Sequence, residues 1–190
     1  MEQKLSNPAP LGLMGFGMTT VLLNIHNAGF FKLGAMIMAM GIFYGGMAQI
    51  IAGILEFKKG NTFGTTAFTS YGLFWMTLVF VFLAPKLGLP SPPAAFLGWY
   101  LFFWGLFTFF MMFATLKKNF TLFFIFLSLT ILFWLLAIGH WTTDATADLI
   151  IKIAGWEGII CGLSAIYLAM AEVINENLGK TVLPICPFKK

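Results

Sequence analysis

Arginine does not occur in this 190-residue sequence, and charge of either sign is scarce: eleven lysines and seven acids, 9% of the chain. Without arginine, and with lysines placed singly or in pairs, no basic face for nucleic acid is expected. Cysteine is nearly absent too. Cys161 falls in an apolar segment and Cys186 in the polar tail, so the two are expected at different depths and unpaired. Neither has redox or metal-binding spacing. The sequence has no phosphate-cradling glycine loop, no His/Cys/carboxylate cluster and no Ser-His-Asp set. No metal, cofactor or intramembrane catalysis is therefore expected. A cleaved signal peptide is not expected either, because Pro8 and Pro10 precede the first apolar run and no polar domain follows it.

What the chain has in excess is apolar length. It is 59% hydrophobic with 23 phenylalanines, and its mean hydropathy is +0.90. A soluble domain carries about 25% charged residues, so this composition belongs in lipid. A helix needs about 20 apolar residues to cross the hydrocarbon. On that scale the sequence divides into six spans, at 10–27, 33–55, 65–84, 94–116, 120–139 and 150–173, within one all-α transmembrane domain. The breaks are short and punctuated by lysine, proline, glycine or asparagine. With the N-terminus in the cytoplasm, eight lysines lie inside (4, 58, 59, 117, 118, 180, 189 and 190) and three outside (32, 86 and 152). That asymmetry places both termini in the cytoplasm. Three spans on each side of 85–93 allow a 3+3 inverted repeat. Its only echo is Asn7-Pro8-Ala9-Pro10 before the first span and Ser91-Pro92-Pro93-Ala94 before the fourth. The sequence leaves the repeat open.

The lead-in N-P-A-P-L-G-L-M-G-F-G-M-T-T at 7–20 looks like a broken helix. Asn7 is a good N-cap, Pro8 suits the first helical position, and Pro10 stays within the first turn. The prolines therefore start a helix. Its free N–H groups and dipole offer a weak anion site, to which Asn7 could add an amide. Gly12, Gly15 and Gly17 would let neighbouring helices close around Phe16.

Small residues recur at helical spacing in two other spans. Gly41, Gly45, Gln49 and Gly53 form one face of the second, ending near Glu56; Gly158, Gly162, Ala165 and Ala169 form one face of the sixth, ending near Glu172. Close helix packing is the favoured reading for the small residues. Gln49 divides evenly between a packing and a pathway role, since a mid-span amide needs partners. Thr20, Asn24 and Asn27 continue the Phe16 face of the first span, which fits a narrow pore or an interhelical contact equally well. In the third span, Thr65, Thr66, Thr69, Ser70 and Tyr71 concentrate five hydroxyls into two turns. Tyr71 stands at mid-membrane, away from the interfacial belt where tyrosine usually sits. Glu157 is a candidate proton group as an intramembrane acid, and a vestibule or subunit contact is the competing reading. His26 and His140, at the outer ends of their spans, are candidate pH sensors or simply solvated.

These residues resemble a known family. N-P-A-P-L-G-L at 7–13 followed by G-F-G-M-T-T is similar to the N-terminal motif of the acetate uptake transporter family, in particular its bacterial succinate–acetate permeases. The likeness continues through G-I-F-Y-G-G at 41–46, K-G-N-T-F-G at 59–64, T-A-F-T-S-Y-G at 66–72 and C-G-L-S-A-I-Y-L-A-M at 161–170. It covers essentially the whole chain. The resemblance implies a six-helix protomer with its own pathway, a homohexamer, and proton-coupled uptake of acetate and succinate across the bacterial inner membrane. It also implies an apolar neck at Phe16, Tyr71 and Leu129, the last matched on fewer landmarks.

A carboxylic acid of this kind titrates at about pH 4–5, so acetate is an anion at neutral pH. Desolvating it in an apolar neck costs several kcal/mol. The expectation is that Thr20 and Asn24 hold it on the outer side. Gln49 with the hydroxyls of Thr66, Thr69 and Ser70 would do so near the middle, and Asn7 at the cytoplasmic end. The proton travels on acetic acid itself, or the route is channel-like. A channel for small neutral amides such as urea and a non-transporting membrane scaffold are the alternatives.

Overall fold

The computed structural model describes residues 5–188. The first helix, α1, runs Ala9–Asn27. It starts one residue later than the capping pattern implies, with Pro8 as the half-in residue and Pro10 inside the first turn. Asn7 still performs the capping chemistry: its Oδ1 accepts from the Ala9 N–H at 3.2 Å. The prolines cost nothing here because first-turn N–H groups have no intrahelical partner.

The second rod is continuous from Ala35 to Lys58 but changes pitch on the way. α2 (Ala35–Ala39) passes into a π-helical stretch, Met40–Ala48, and then into α3 (Gln49–Lys58). Next come α4 (Thr62–Leu83), extended by a 3₁₀ turn to Leu87, then α5 (Ala94–Phe113), α6 (Phe120–Trp141) and α7 (Ala147–Leu178). Among the described residues, the five rods after α1 are long and apolar enough to cross a membrane. α1 is 19 residues long, and its glycines, asparagines and histidine dilute its apolar character. α7, at 32 residues, extends about 48 Å and overshoots a hydrocarbon core of about 30 Å. Asn61 and Asn119 cap α4 and α6, accepting from Gly64 N–H at 3.2 Å and Leu122 N–H at 2.8 Å.

Glycine decides which helices touch. A methyl on Gly17 would lie 2.8 Å from the Gly162 carbonyl oxygen, and one on Gly162 would lie 2.7 Å from that of Gly17. α1 and α7 thus meet backbone to backbone, as small residues permit in lipid. Gly46 and Gly72 repeat the arrangement between the π-helical stretch and α4, where a Gly72 methyl would sit 2.7 Å from the Gly46 carbonyl. The helices that close the ring on the other side, α4 and α5, stand apart at the backbone and meet through aromatic rings. Phe74 stacks on Tyr100 at 5.8 Å and edges Trp104 at 5.1 Å.

Large apolar side chains also face outward along the bundle, Phe43, Phe57, Phe96, Phe103 and Phe110 among them. Such all-round apolarity is the mark of helices whose solvent is lipid or a neighbouring subunit.

Candidate functional site: a pathway through the bundle

Three cavities lie in series through the helix ring. One, of about 420 Å³, opens on the side where Asn7 and Ile185 lie, and is lined by Asn7, Gln49, Glu56, Lys59, Lys118 and Glu172 among others. A narrow one of about 40 Å³ follows, with Thr20, Asn24, Phe74 and Trp75 in its wall. The third, of about 210 Å³, opens on the far side and includes His26, Asn27 and His140. Phe16, Tyr71 and Leu129 line both the first cavity and the narrow one. Leu23, Leu78, Leu101 and Leu136 are shared in the same way by the narrow cavity and the far one.

The three residues singled out as a neck therefore come together from α1, α4 and α6. They are 5%, 3% and 3% exposed, and the rings of Phe16 and Tyr71 have centroids 6.0 Å apart. Tyr71 is further hemmed in by Phe107 at 5.6 Å and Phe126 at 6.1 Å. Its hydroxyl is occupied. Thr108 on α5 donates its own hydrogen to the Trp104 carbonyl at 2.7 Å, so at 2.9 Å it can only accept from Tyr71. The ring of Tyr71 borders the neck while its hydrogen points into the α4–α5 seam.

Polar groups along the route are partly unspent. Thr20 Oγ1, in the narrow cavity, and Gln49 Oε1, in the terminal cavity, are buried with no hydrogen-bond partner in the structure. Asn24 is more committed. Its Nδ2 donates to the Thr20 carbonyl at 2.9 Å, its Oδ1 accepts from Asn27 at 3.0 Å, and its amide is seated in the space Gly158 leaves open.

Three expected lining residues are misplaced by the sequence reading. Thr66 is exposed, Thr69 packs against Gly53 on α3, and Ser70 lines a lateral aromatic groove beside Trp99 and Phe103. The hydroxyls crowd two turns of α4, and a helix spreads successive residues right round its axis. Over those turns Gly64, Ala67, Phe68 and Tyr71 line the first cavity. Glu157 also lies off the route. It lines none of the three cavities and accepts a hydrogen bond from Ser128 Oγ across the α6–α7 contact. His26 and His140 do line the far cavity, and His26 Nδ1 donates to the Phe31 carbonyl at 2.7 Å.

The charged lining of the terminal cavity escaped the sequence reading. Glu56 and Glu172 are the residues at which the two small-residue faces end, and the glycines of those faces pack against α1 and α4. Asn7 Nδ2 donates to Glu172 Oε2 at 2.8 Å, Lys59 Nζ to Asn7 Oδ1 at 3.3 Å, and Asn61 Nδ2 to Glu56 Oε2 at 2.7 Å. The tail closes over this mouth. Ile185 lines the cavity, and its carbonyl accepts from Thr121 Oγ1 at 3.1 Å. Among the described residues no three metal-ligating side chains cluster.

Residues 1–190 match the GPR1/FUN34/yaaH family from end to end. The chain belongs to that family. One relative, the succinate-acetate/proton symporter SatP of Escherichia coli strain K12, is 67% identical over 183 residues, which cover 96% of each chain. Acetate permease A of Emericella nidulans is 32% identical over 98% of this chain and 67% of its own. The ammonia transport outward protein 2 of Saccharomyces cerevisiae is 36% identical over 97% and 67% respectively. A solved structure of the bacterial acetate channel SatP superposes with a TM-score of 0.92 at 67% identity, covering 96% of this chain and 99% of that one. The family resemblance read from the 7–13 motif is thereby confirmed.

Proposed function

We propose that this chain takes up acetate, and succinate as a second substrate, across the inner membrane of a bacterium. The single transmembrane domain crosses six times with both termini in the cytoplasm, so the terminal cavity is the cytoplasmic vestibule and the far cavity the outer one. Each protomer of a homohexamer set in membrane lipid carries its own pathway, and the chemistry is translocation rather than catalysis. The observation that carries this reading is the series of three cavities, the first two of which meet at Phe16, Tyr71 and Leu129. In support, relatives at 67% identity are a succinate-acetate/proton symporter and an acetate channel.

In this reading a carboxylate entering from outside first meets His26, Asn27 and His140. Thr20 then offers a hydrogen bond beside the neck, and Gln49 receives the solute beyond it. The neck discriminates by size and polarity, since its wall of aromatic rings and Leu129 passes a methyl group more readily than a charged or bulky one. Asn7 acts at the cytoplasmic mouth through Glu172 and Lys59. The decisive experiment is labelled-acetate uptake into proteoliposomes. Saturable uptake, competed by succinate and unaffected by urea, is expected. Urea flux without acetate flux would make this a neutral-amide channel, and no solute flux would leave only an assembly role.

A further inference from the structure

The terminal cavity holds a carboxyl group only one of whose oxygens has a hydrogen-bond partner. Glu56 is 1% exposed at the end of α3 and lines the cavity. One of its oxygens, Oε2, accepts from Asn61 Nδ2 at 2.7 Å. The other, Oε1, is buried with no partner. Gly64 makes room for the group: a methyl there would lie 2.8 Å from Glu56 Cγ and 2.9 Å from its carboxyl carbon. The charged groups facing the same cavity are Lys59 at the end of the same rod, Lys118 in the α5–α6 turn and Glu172 on α7. Lys59 is turned to Asn7, Lys118 lies over the Phe63 ring at 4.6 Å, and Glu172 is held by Asn7. A buried carboxyl is ordinarily paired or fully hydrogen-bonded. Here one oxygen is anchored and the other is buried without a partner, on a residue that lines the pathway.

We propose that Glu56 is the proton-transfer group of this transporter. A carboxylic acid that has crossed the neck as the neutral species gives its proton to Glu56 Oε1. The O–H bond of the acid breaks, an O–H bond forms on Glu56, and the released carboxylate leaves through the mouth past Lys59 and Lys118. Glu56 then gives the proton to water at that mouth and returns to its starting form. Asn61 donates to Oε2 throughout, so the carboxyl changes its proton without changing its position. Glu56 is thereby the point at which solute and proton part.

This assignment rests on acetate transport as proposed above, and the test separates the two. Wild-type, Glu56→Gln and Glu56→Asp proteins are reconstituted, and protein-free vesicles are subtracted. Two rates are read: net acetate uptake driven by a pH gradient, and exchange of labelled for unlabelled acetate at equal pH. Exchange returns the solute with its proton and needs no net release from Glu56, whereas net uptake does. The expected result is a ratio of net uptake to exchange at least ten-fold lower in Glu56→Gln, and partly restored in Glu56→Asp. Gly64→Ala, which displaces the carboxyl instead of removing its charge, is expected to lower the same ratio and serves where Glu56→Gln is not recovered folded. A ratio within two-fold of wild type, or loss of exchange together with uptake, overturns the assignment. Wild-type vesicles with neither rate above protein-free controls overturn the transport reading instead.

Discussion

Tyr71 on α4 donates its hydroxyl hydrogen to Thr108 on α5 across 2.9 Å, and this bond bridges the two neighbouring helices whose backbones do not meet. Tyr100 repeats the bridge by donating to the Phe74 carbonyl at 3.3 Å. The neck is thus braced from behind, by a seam of aromatic rings with two hydrogen bonds in it.

Thr108→Val keeps the shape of that side chain and removes the acceptor. The buried phenol hydrogen of Tyr71 is left without a partner, which costs about 1–3 kcal/mol. Thermal unfolding in detergent is expected to show a lower midpoint for Thr108→Val than for Thr108→Ser, which retains an acceptor.

Tyr71→Phe separates ring from hydroxyl. Because the hydroxyl faces Thr108, its loss is expected to reduce stability by about 1 kcal/mol while acetate remains preferred over lactate. A shift in that preference, read from competition in flux assays, would show that the hydroxyl contacts solute.

Phe16→Ala and Leu129→Ala open the neck from α1 and α6. Each is expected to raise lactate flux relative to acetate by several-fold, since a cavity replaces a wall that is 3–5% exposed in the native chain. Wild-type selectivity in both variants would place the size filter elsewhere.

Gly162→Leu drives a side chain into the Gly17 carbonyl, 2.7 Å from where its first carbon must lie. Overpacking of this kind costs about 1–3 kcal/mol or more. The expected outcome is loss of a monodisperse peak in size-exclusion chromatography. Gly60→Ala is the control, because nothing lies within 4 Å of Gly60 and the cost there is confined to its positive φ of 70°.

Asn7→Asp preserves the oxygen that accepts from Ala9 and Lys59 but replaces the donor to Glu172 with a second carboxylate 2.8 Å away. Like charges at that distance repel, and acetate uptake is expected to fall several-fold, partly recovering at high salt. Uptake at the wild-type level would confine Asn7 to capping.

Residue order alone determined that the chain is a set of membrane-length helices. Apolar runs near 20 residues, broken by lysine, glycine and proline, admit no other arrangement, because lipid leaves backbone polar groups no partner outside a helix. The prolines at 8 and 10 read correctly as a helix start for the same local reason, within one residue. The motif around Phe16 and the Y-G of α4 also picked out, through resemblance to relatives, two residues that meet in the structure.

Azimuth was decided only in the tertiary structure. The hydroxyls of α4 looked like one cluster along the sequence, yet Thr66, Thr69 and Ser70 face away from the pathway that Tyr71 borders. Glu157 looked like the intramembrane acid, yet Ser128 holds it off the route, while Glu56 and Glu172 line it. The π-helical stretch at 40–48 alters the pitch on which the Gly41–Gly53 face was drawn. Composition and spacing set what each helix can bury. Which face it turns inward depends on where the glycines let neighbours approach, at Gly17 against Gly162 and Gly46 against Gly72, and that is a property of pairs of helices rather than of any one segment.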